Sequence, residues 1–312
     1  MLDGLSFLKR LDIDRNVIST IADDTFTATP ELIDLGLNIN NMSEISSTFW
    51  TGLGKLQDLN LRYNRLQELK VDSFRGLTNM EHLELDSNRI QSIEKGAFNG
   101  LDHLIYLEMS FNTLTKITAD MLTGLRKIDY INLSANNLSS LQENLFTECC
   151  INMTNLLMYY NQFEVLDPDW FIGLDRLNKI DLDTNKLRSI PGEIFEVLPS
   201  LSYLILTGNP LHCDCDMLEY RAWSGCNNAG MKTMCSSPDE YKERVIEEIP
   251  LHEFSDICIS SCEPEKETIS TLAWIGIVVG CFFVGVLATV GIGLFARRNR
   301  TKGYAEQRNE TI

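Results

Sequence analysis

The sequence has little of what catalysis or nucleic-acid binding requires. It contains no G-x-S-x-G, no H-E-x-x-H and no phosphate-binding loop. Its 27 basic residues are outnumbered by 44 acidic ones, whereas the phosphates of nucleic acid demand a basic face. The few histidines are scattered along the chain: His82, His103, His212 and His252. We therefore expect no enzyme, no cofactor, no metal site and no nucleic-acid partner.

What the sequence does have is asparagine at an almost constant interval. Successive members of this ladder are 24 residues apart, with one gap of 25. Apolar residues stand eight, five and three residues before each asparagine and two residues after it, as Leu56, Leu59, Leu61 and Leu66 do around Asn64. The ladder is Asn16, Asn40, Asn64, Asn88, Asn112, Asn136, Asn161, Asn185 and Asn209.

The spacing of these residues predicts a coil of stacked turns. L-x-L alternates with a period of two, so each turn carries a short strand with its leucines inward, and the stacked strands form a parallel sheet. Each reversal of the chain leaves backbone groups inside without a strand partner, and an asparagine amide can both donate to and accept from them. A second column returns once per turn and should fill the opposite half of the core: Phe26, Trp50, Phe74, Phe98, Leu122, Phe146, Phe171 and Phe195.

This L-x-x-L-x-L-x-x-N-x-L pattern resembles the extracellular leucine-rich-repeat proteins. The resemblance implies an α/β solenoid, a horseshoe with its parallel sheet on the concave face, in which residues 1–209 form nine repeats. One residue is inserted between Phe146 and Met153, where Cys149 and Cys150 are adjacent. These two cysteines are open to three interpretations: a vicinal disulfide, an intermolecular link or a free pair.

The segment that follows the repeats carries most of the remaining cysteines. N-P-x-x-C-x-C, followed by Trp223 and two later cysteines, resembles the disulfide-bonded C-terminal cap of these proteins, here residues 210–262. The resemblance implies the pairs Cys213–Cys235 and Cys215–Cys258, while Cys226 and Cys262 are candidates for a third bridge. Zinc competes as an explanation of C-x-C, but no histidine pair follows. This cysteine usage indicates an oxidising compartment.

An uncharged run near the C-terminus predicts a membrane anchor. Residues 272–296 would extend about 37 Å as a helix, enough for one tilted bilayer crossing. The basic cluster Arg297, Arg298 and Arg300 follows at once and predicts a cytoplasmic tail, residues 297–312. A polar stalk, residues 263–271, precedes the helix. We expect a single-pass plasma-membrane protein with its repeats outside the cell.

The N-terminal end departs from the extracellular pattern. The first five residues read as the end of an earlier repeat, since Gly4-Leu5 precedes Leu8 at the spacing seen in later repeats. No basic-then-apolar signal segment and no N-terminal cysteine cap are present. We expect a truncated product or an incomplete gene model. The alternative is a genuine capless chain that enters the membrane by its transmembrane helix alone.

Side chains between and just after the strand leucines should face the concave surface. An acidic start passes into a tyrosine stripe there, and tyrosine is a frequent interface anchor. Acidic neighbours favour a basic protein partner. The candidate partner-binding residues are Asp34, Asp58, Arg62, Glu84, Tyr106, Glu108, Tyr130, Tyr159, Asp181 and Tyr203. The candidate glycosylation sites are Asn41, Asn137 and Asn152; a fourth acceptor pattern, at Asn132, points into the proposed binding stripe, which a glycan would cover.

These features allow three hypotheses, and in each of them the protein acts by binding other molecules. The first is a cell-surface recognition protein, an adhesion protein or co-receptor that binds an extracellular protein or glycan. The second is an auxiliary channel subunit, because the chain is similar to the leucine-rich-repeat subunits of large-conductance potassium channels. The third is an innate immune pattern-recognition receptor without its own signalling domain. The short tail implies a lateral membrane partner in any signalling role.

Overall fold

The computed structural model describes residues 2–226 and 232–253. Nine of the strands in these residues form one parallel sheet. Their order in this sheet follows the chain, so each strand pairs with the next one that belongs to it. Only β4 and β6 stand apart, as a separate parallel pair. In chain order, the strands of the described residues are β1 Arg10–Asp12, β2 Asp34–Gly36, β3 Asp58–Asn60, β4 Glu68–Leu69, β5 His82–Glu84, β6 Ser92–Ile93, β7 Tyr106–Glu108, β8 Tyr130–Asn132, β9 Asn155–Leu157, β10 Lys179–Asp181 and β11 Tyr203–Ile205.

The asparagine spacing sets the register of the large sheet. Leu59 in β3 is paired with Leu83 in β5, which lies 24 positions further along the chain. Ile131 in β8 is paired with Leu156 in β9, so the inserted residue is absorbed outside the sheet. Each strand is centred on the apolar residue five positions before a ladder asparagine, as the alternation predicts. The predicted parallel-sheet solenoid is confirmed.

The apolar positions of the repeat make up the core. Around Asn64, the four apolar side chains are at most 1% exposed. In the first turn, Leu8, Leu11, Ile13 and Ile18 are only partly buried against that core. The second column fills the opposite side as predicted: its members from Phe26 to Phe171 are at most 1% exposed. Phe195, the last member, is partly buried, and its ring stacks on Trp223 with the centroids 4.9 Å apart.

Ladder asparagines link each turn to the one before it. The Asn64 side-chain nitrogen donates to the carbonyl oxygen of Leu37 at 2.9 Å, in the preceding turn, and to that of Leu61 at 3.1 Å, in its own turn. Its side-chain oxygen accepts from the Met42 backbone N–H at 3.0 Å. The same pattern recurs from Asn40 to Asn209, and all eight of these asparagines are buried. The structural role predicted for the ladder is thus observed.

The return path of several turns contains a short helix that carries the second column. Ser46 caps the one that ends at Trp50, because its hydroxyl accepts from the Thr48 N–H. Asp167 caps another, followed by Pro168 at its first position. These helices are the 3₁₀ helices Ser47–Trp50, Ala119–Leu122 and Pro168–Phe171, and the four-residue α1, Ile194–Val197.

A glycine ends the return path where the chain turns toward the next strand. Gly124 has a φ of +104°, and a Cβ there would lie 2.7 Å from the carbonyl oxygen of Phe98. Any larger residue would therefore meet both a strained backbone and the preceding turn. The positive φ recurs at Gly52, Gly76, Gly100 and Gly173, and it explains the Gly-Leu pair that precedes successive strands.

Cys149 and Cys150 form a disulfide with each other. Both side chains are buried in the core at the inserted residue. Of the three interpretations that the sequence left open, the structure has the vicinal disulfide. Both sulfur atoms are thereby occupied within the chain, which leaves neither for an intermolecular link.

The segment after Asn209 continues the core. It contains the 3₁₀ helices Cys215–Met217 and Ile246–Glu248 and the helix α2, Leu218–Cys226. Tyr220 is buried, and its hydroxyl lies 2.9 Å from the Thr233 hydroxyl and 2.8 Å from a Glu247 carboxylate oxygen.

The cysteines of this segment agree with the predicted pairing as far as the described residues extend. Cys213 is bonded to Cys235, as predicted. Cys215 is disulfide-bonded. Cys258 and Cys262, the predicted partners of Cys215 and Cys226, lie outside the described residues.

The predicted membrane segment also falls outside the described part of the chain. Within residues 2–226 and 232–253, no helix combines the length and the apolar character needed to cross a bilayer. The stalk (263–271), the helix (272–296) and the tail (297–312) predicted from the sequence lie beyond these residues.

Candidate functional site

The outward side chains of the large sheet form a surface that we call the sheet face. It comprises the residues six, four and two positions before each ladder asparagine, such as Asp58, Asn60 and Arg62 before Asn64. All ten residues predicted to bind a partner occupy these positions. The strands therefore bring the candidate residues onto one continuous surface.

A row of aligned side chains runs along the first of these positions. Tyr106 and Tyr130 are register partners in β7 and β8, and their rings stack with centroids 4.4 Å apart and planes 11° apart. The His82 ring lies 6.1 Å from that of Tyr106. On the far side of His82, its Nδ1 is 2.7 Å from a carboxylate oxygen of Asp58. Four adjacent strands thus present one acidic–imidazole–tyrosine row.

A buried carboxylate supports the tyrosine pair from below. Glu108 is only 8% exposed, and it accepts from the Asn132 side chain at 2.8 Å and from the Ser110 N–H at 2.9 Å. The Tyr106 hydroxyl donates to the same carboxylate at 3.3 Å. Glu108 therefore positions the pair and offers a partner little surface of its own. Burial raises the pKa of both tyrosine hydroxyls further above physiological pH, at which they are neutral in any case.

Arg62 is the cation of the sheet face nearest to its acidic centre. Its Nε lies 2.7 Å from a carboxylate oxygen of the buried Asp86, and its terminal nitrogen lies 3.8 Å from Glu84. Burial raises the pKa of the Glu84 carboxyl, and the positive charge of Arg62 opposes that rise. Keeping Glu84 ionised on the sheet face therefore costs free energy in the folded chain.

The remaining candidates lie further along the same face. Asp34 is paired with Arg10 at 3.2 Å. Tyr159 contacts the edge of Tyr160, with centroids 5.9 Å apart. Asp181 accepts from the Asp183 N–H at 3.1 Å, and burial raises the pKa of its carboxyl. Tyr203, in β11, is 45% exposed and lies three strands from Tyr130, about 14 Å away at ordinary strand spacing.

The side chains of the sheet face are of kinds that are common in protein interfaces. Among the described residues, no group of three histidine, cysteine or acidic side chains is arranged to hold a metal ion. The row instead combines large planar side chains with hydrogen-bonding groups, a composition enriched in protein interfaces.

Comparison with known proteins agrees with the architecture. The pattern of the family described as Leucine rich repeat matches residues 6–66, 30–90, 78–138 and 151–211. The chain belongs to the leucine-rich repeat family. Among curated relatives, it is 42% identical over 57 residues to mouse leucine-rich repeat-containing protein 19. That match covers 17% of this chain and 16% of the mouse protein.

Solved leucine-rich repeat structures superpose on most of the chain. The leucine-rich repeat domain of FLRT2, solved in a complex with Latrophilin 3 and Unc5D, has a TM-score of 0.70 and 24% identity over 78% of this chain and 76% of its own. Human 5T4, also called trophoblast glycoprotein, has a TM-score of 0.66 and 19% identity, covering 78% of this chain and 93% of its own. These likenesses concern the fold.

The four acceptor patterns outside the predicted tail differ in their settings on the repeats. Asn132 is buried, and its side-chain nitrogen donates to Glu108. Asn152 accepts from Arg176 at 3.1 Å through its side-chain oxygen. Asn137 is exposed and Asn41 half-buried, each directly after a ladder asparagine. A glycan on the Asn132 nitrogen would therefore displace the support of the tyrosine pair.

Replacing Glu84 with glutamine should make the stability of the repeats depend less on pH. Because the folded-state pKa of Glu84 is raised, its contribution to stability is full below the ordinary glutamate pKa and is lost as pH rises through the folded-state value. We expect Glu84→Gln to unfold at higher temperature than the unmodified chain at pH 7, with the gain shrinking toward pH 4. Thermal unfolding across this pH range measures it.

The exposed Glu143 provides a matched control for this prediction. Glu143→Gln should change the unfolding temperature little at either pH. A Glu84→Gln variant that is less stable than the unmodified chain at pH 7 would show that pairing with Arg62 outweighs burial.

Two features of this surface were not among the predicted site residues. His82 lies between Asp58 and Tyr106, and the sequence signal for it was its place six positions before Asn88. Asn132 holds Glu108 beneath the tyrosines, and its signal was the same kind, four positions before Asn136. The repeat position alone would have selected both residues.

Proposed function

We propose that this chain is a cell-surface recognition protein that binds an extracellular protein partner through its sheet face, in adhesion or as a co-receptor. The observation that carries the proposal is the stacked pair of Tyr106 and Tyr130 on the open face of the sheet. Tyr106 donates to Glu108, which in turn accepts from Asn132 on the adjacent strand. A rigid aromatic anchor on an accessible surface is the usual centre of a protein interface.

The charge of the sheet face supports a basic partner. Acidic side chains dominate the turns on the N-terminal side of the tyrosine pair, where two cations of the sheet face, Arg10 and Arg62, are paired with Asp34 and Asp86. Lys179 lies on the other side of the pair, in β10. The acids of the first four turns on this face are Asp12, Asp14, Asp34, Asp58, Glu84 and Asp86. Such a surface accelerates the encounter with a positively charged patch and rejects an acidic one. We therefore favour a protein with a basic surface over an acidic glycan.

Placement outside the cell rests on several sequence features taken together. The uncharged run 272–296 and the basic residues after it favour a single membrane crossing with a short cytoplasmic tail. The disulfide between Cys213 and Cys235 is suited to an oxidising compartment. We propose that residues 210–262 close the end of the repeats and that Asn41, Asn137 and Asn152 are glycosylated. The FLRT2 complex is a precedent for a repeat domain of this fold that assembles with other proteins.

Removing the tyrosine pair should abolish binding through the sheet face. We expect Tyr106→Ala together with Tyr130→Ala to weaken capture at least about tenfold, because truncation of a central aromatic anchor commonly costs 2 kcal/mol or more. The assay is aggregation of suspension cells that display the full chain, followed by capture from an array of cell-surface ectodomains. Surface amount and resistance to protease confirm that the variant is folded.

Phe111 is the matched control for this experiment. It lies in the same turn as Tyr106 but on the edge of the sheet, and it is 56% exposed. Phe111→Ala should leave capture unchanged. Unaltered binding by the double tyrosine variant would remove the sheet face as the binding surface.

A further inference from the structure

A second periodic surface lies just beyond the C-terminal ends of the strands, along that border of the sheet, and we call it the edge row. It consists of the residue directly before each ladder asparagine. The first eight members all have left-handed backbone, with φ between 50° and 56°. They are Arg15, Ile39, Tyr63, Ser87, Phe111, Ala135, Tyr160 and Thr184, followed by Gly208 at +69°. This conformation favours glycine and asparagine and penalises bulky or β-branched side chains.

Four members of the edge row are nevertheless large and apolar. Ile39, Tyr63, Phe111 and Tyr160 are between 41% and 57% exposed. Their side chains thus gain little from the core, while their backbone conformation costs free energy. The Tyr63 ring lies 5.8 Å from the Arg62 guanidinium and the Tyr160 ring lies 5.9 Å from that of Tyr159, but both residues remain more than half exposed. These contacts leave room on the edge row for a ligand that covers the large side chains.

Two of the glycosylation patterns lie close to the large side chains of the edge row. Asn41 (Asn-Met-Ser) and Asn137 (Asn-Leu-Ser) each follow a ladder asparagine directly. Ile39 is in the turn of Asn41 and Tyr63 is in the next turn, while Phe111 and Tyr160 flank the turn of Asn137. In the turns at least two steps from either pattern, the edge row has only the small residues Ser87, Thr184 and Gly208.

The setting of Asn137 is that of a seat for a sugar. Its side chain is exposed, as is that of Ser139, and its backbone N–H donates to the Leu114 carbonyl at 2.8 Å, which fixes the turn. Ala135, between Phe111 and Tyr160, leaves a gap in the edge row. At ordinary strand spacing the two aromatic positions are about 10 Å apart, enough for one pyranose ring between them.

We propose that Asn137 carries an N-linked glycan whose first N-acetylglucosamine packs between Phe111 and Tyr160. The apolar C–H face of the sugar covers the rings and so offsets the cost of holding them exposed in left-handed turns. The surroundings of Asn41 differ, because its own turn carries Ile39 where that of Asn137 carries Ala135, and its neighbours in the edge row are Arg15 and Tyr63. This inference depends on the extracellular placement proposed above and is separate from the binding role of the sheet face.

The modification itself is an ordinary transfer. The Asn137 side-chain nitrogen bonds to the anomeric carbon of an oligosaccharide carried on a lipid pyrophosphate. The bond from that carbon to the pyrophosphate oxygen breaks, the lipid pyrophosphate leaves, and the amide nitrogen loses one proton. The amide is exposed at a turn, where the transferring enzyme has access to it.

The first test is occupancy. The full chain is produced in mammalian cells, and glycopeptides that contain Asn41, Asn137 and Asn152 are quantified by mass spectrometry. We expect Asn137 to be occupied. An unoccupied Asn137 beside an occupied Asn41 or Asn152 overturns the seat at Asn137 but leaves the extracellular placement standing. No occupancy at any of the three overturns the seat and contradicts the placement as well.

The second test asks whether the glycan and the rings act together. Ser139→Ala removes the acceptor pattern without changing Asn137, and we expect it to lower the unfolding temperature of the full chain by about 2–4 °C. In the background of Phe111→Ala and Tyr160→Ala, the same change should have no effect. The alanine variants are compatible with the fold, because Ala135 adopts the same backbone conformation in the same row.

Ile39→Ala is the matched control, since it truncates an exposed edge-row side chain that lies four turns away from Asn137. It should leave the effect of Ser139→Ala at its full size. Two results overturn the proposal even when Asn137 is fully occupied. One is a glycan-dependent shift in unfolding temperature that persists without Phe111 and Tyr160. The other is the absence of such a shift in the chain that retains both rings.

Discussion

Replacing Asn112 with alanine is expected to lower the free energy of unfolding by about 2–4 kcal/mol. The side-chain oxygen of Asn112 accepts from the Ile90 N–H at 2.8 Å, and alanine leaves that buried donor without its partner. The side-chain nitrogen of Asn112 donates to the carbonyl oxygens of Leu85 and Met109. Each carbonyl also accepts from a second ladder asparagine, so in the alanine variant each keeps one of its two side-chain hydrogen bonds. Equilibrium unfolding in urea, monitored by circular dichroism, measures the loss.

Asn16 is the control that the chain itself provides. It is exposed, and its side chain donates only within its own turn, to the carbonyls of Ile13 and Asp14. Asn16→Ala should therefore cost less than about 1 kcal/mol. If both substitutions cost the same, the links between turns are not what makes the ladder stabilising.

A larger loss is expected when Phe98 is replaced with alanine. Phe98 is completely buried, and its ring stacks on that of Phe74 with centroids 6.0 Å apart. Truncation removes the ring and leaves a cavity that the stacked turns can only partly close, at a cost of about 3–5 kcal/mol. Because each turn of a solenoid contacts only its neighbours, we expect the central turns to become sensitive to protease before the others.

The counterpart of Phe98 is Phe7, which is 88% exposed. The same substitution there removes the same atoms without opening a cavity, so the free energy of unfolding should change by less than about 0.5 kcal/mol. Proteolysis with mass-spectrometric mapping shows where each variant opens first. A Phe98→Ala chain as stable as the Phe7→Ala chain would mean that the second column does not hold the solenoid together.

The sheet and its register could be predicted from the sequence because one spacing controls both. An asparagine every 24 residues and the alternation of L-x-L determine where each strand lies and which residues are paired across it. The additional pair β4 and β6 could not be predicted, since Glu68–Leu69 and Ser92–Ile93 are too short to show alternation.

Departures from the repeat occur at the ends of the array, where neighbours differ. Asn16 carries the ladder residue of the first turn and is exposed, since in the described residues no strand lies on the outer side of β1. Phe195 is only partly buried, because its neighbour on one side is Trp223 in α2. A pattern that assumes identical neighbours predicts the centre of an array better than its ends.

For the candidate site, the sequence predicts the side of the sheet on which a residue lies but not how deeply it is buried. Glu108 occupies an outward position, yet it is buried and hydrogen-bonded to Tyr106 and Asn132. That burial depends on the neighbours of Glu108 on the adjacent strand, which a single repeat does not contain. The edge row was missed for another reason: its members share a backbone conformation and have no residue type in common.

The inserted residue near Cys150 shows how this architecture accommodates changes in length. Although the return path there is one residue longer, Tyr130 and Asn155 remain paired, as do Asn132 and Leu157. The register and spacing of the strands are thus independent of the length of the return path behind them. Variation in length can accumulate on the rear surface, and a tag or a foreign loop placed there, clear of the buried Cys149–Cys150 disulfide, would leave the spacing of Tyr106 and Tyr130 unaltered.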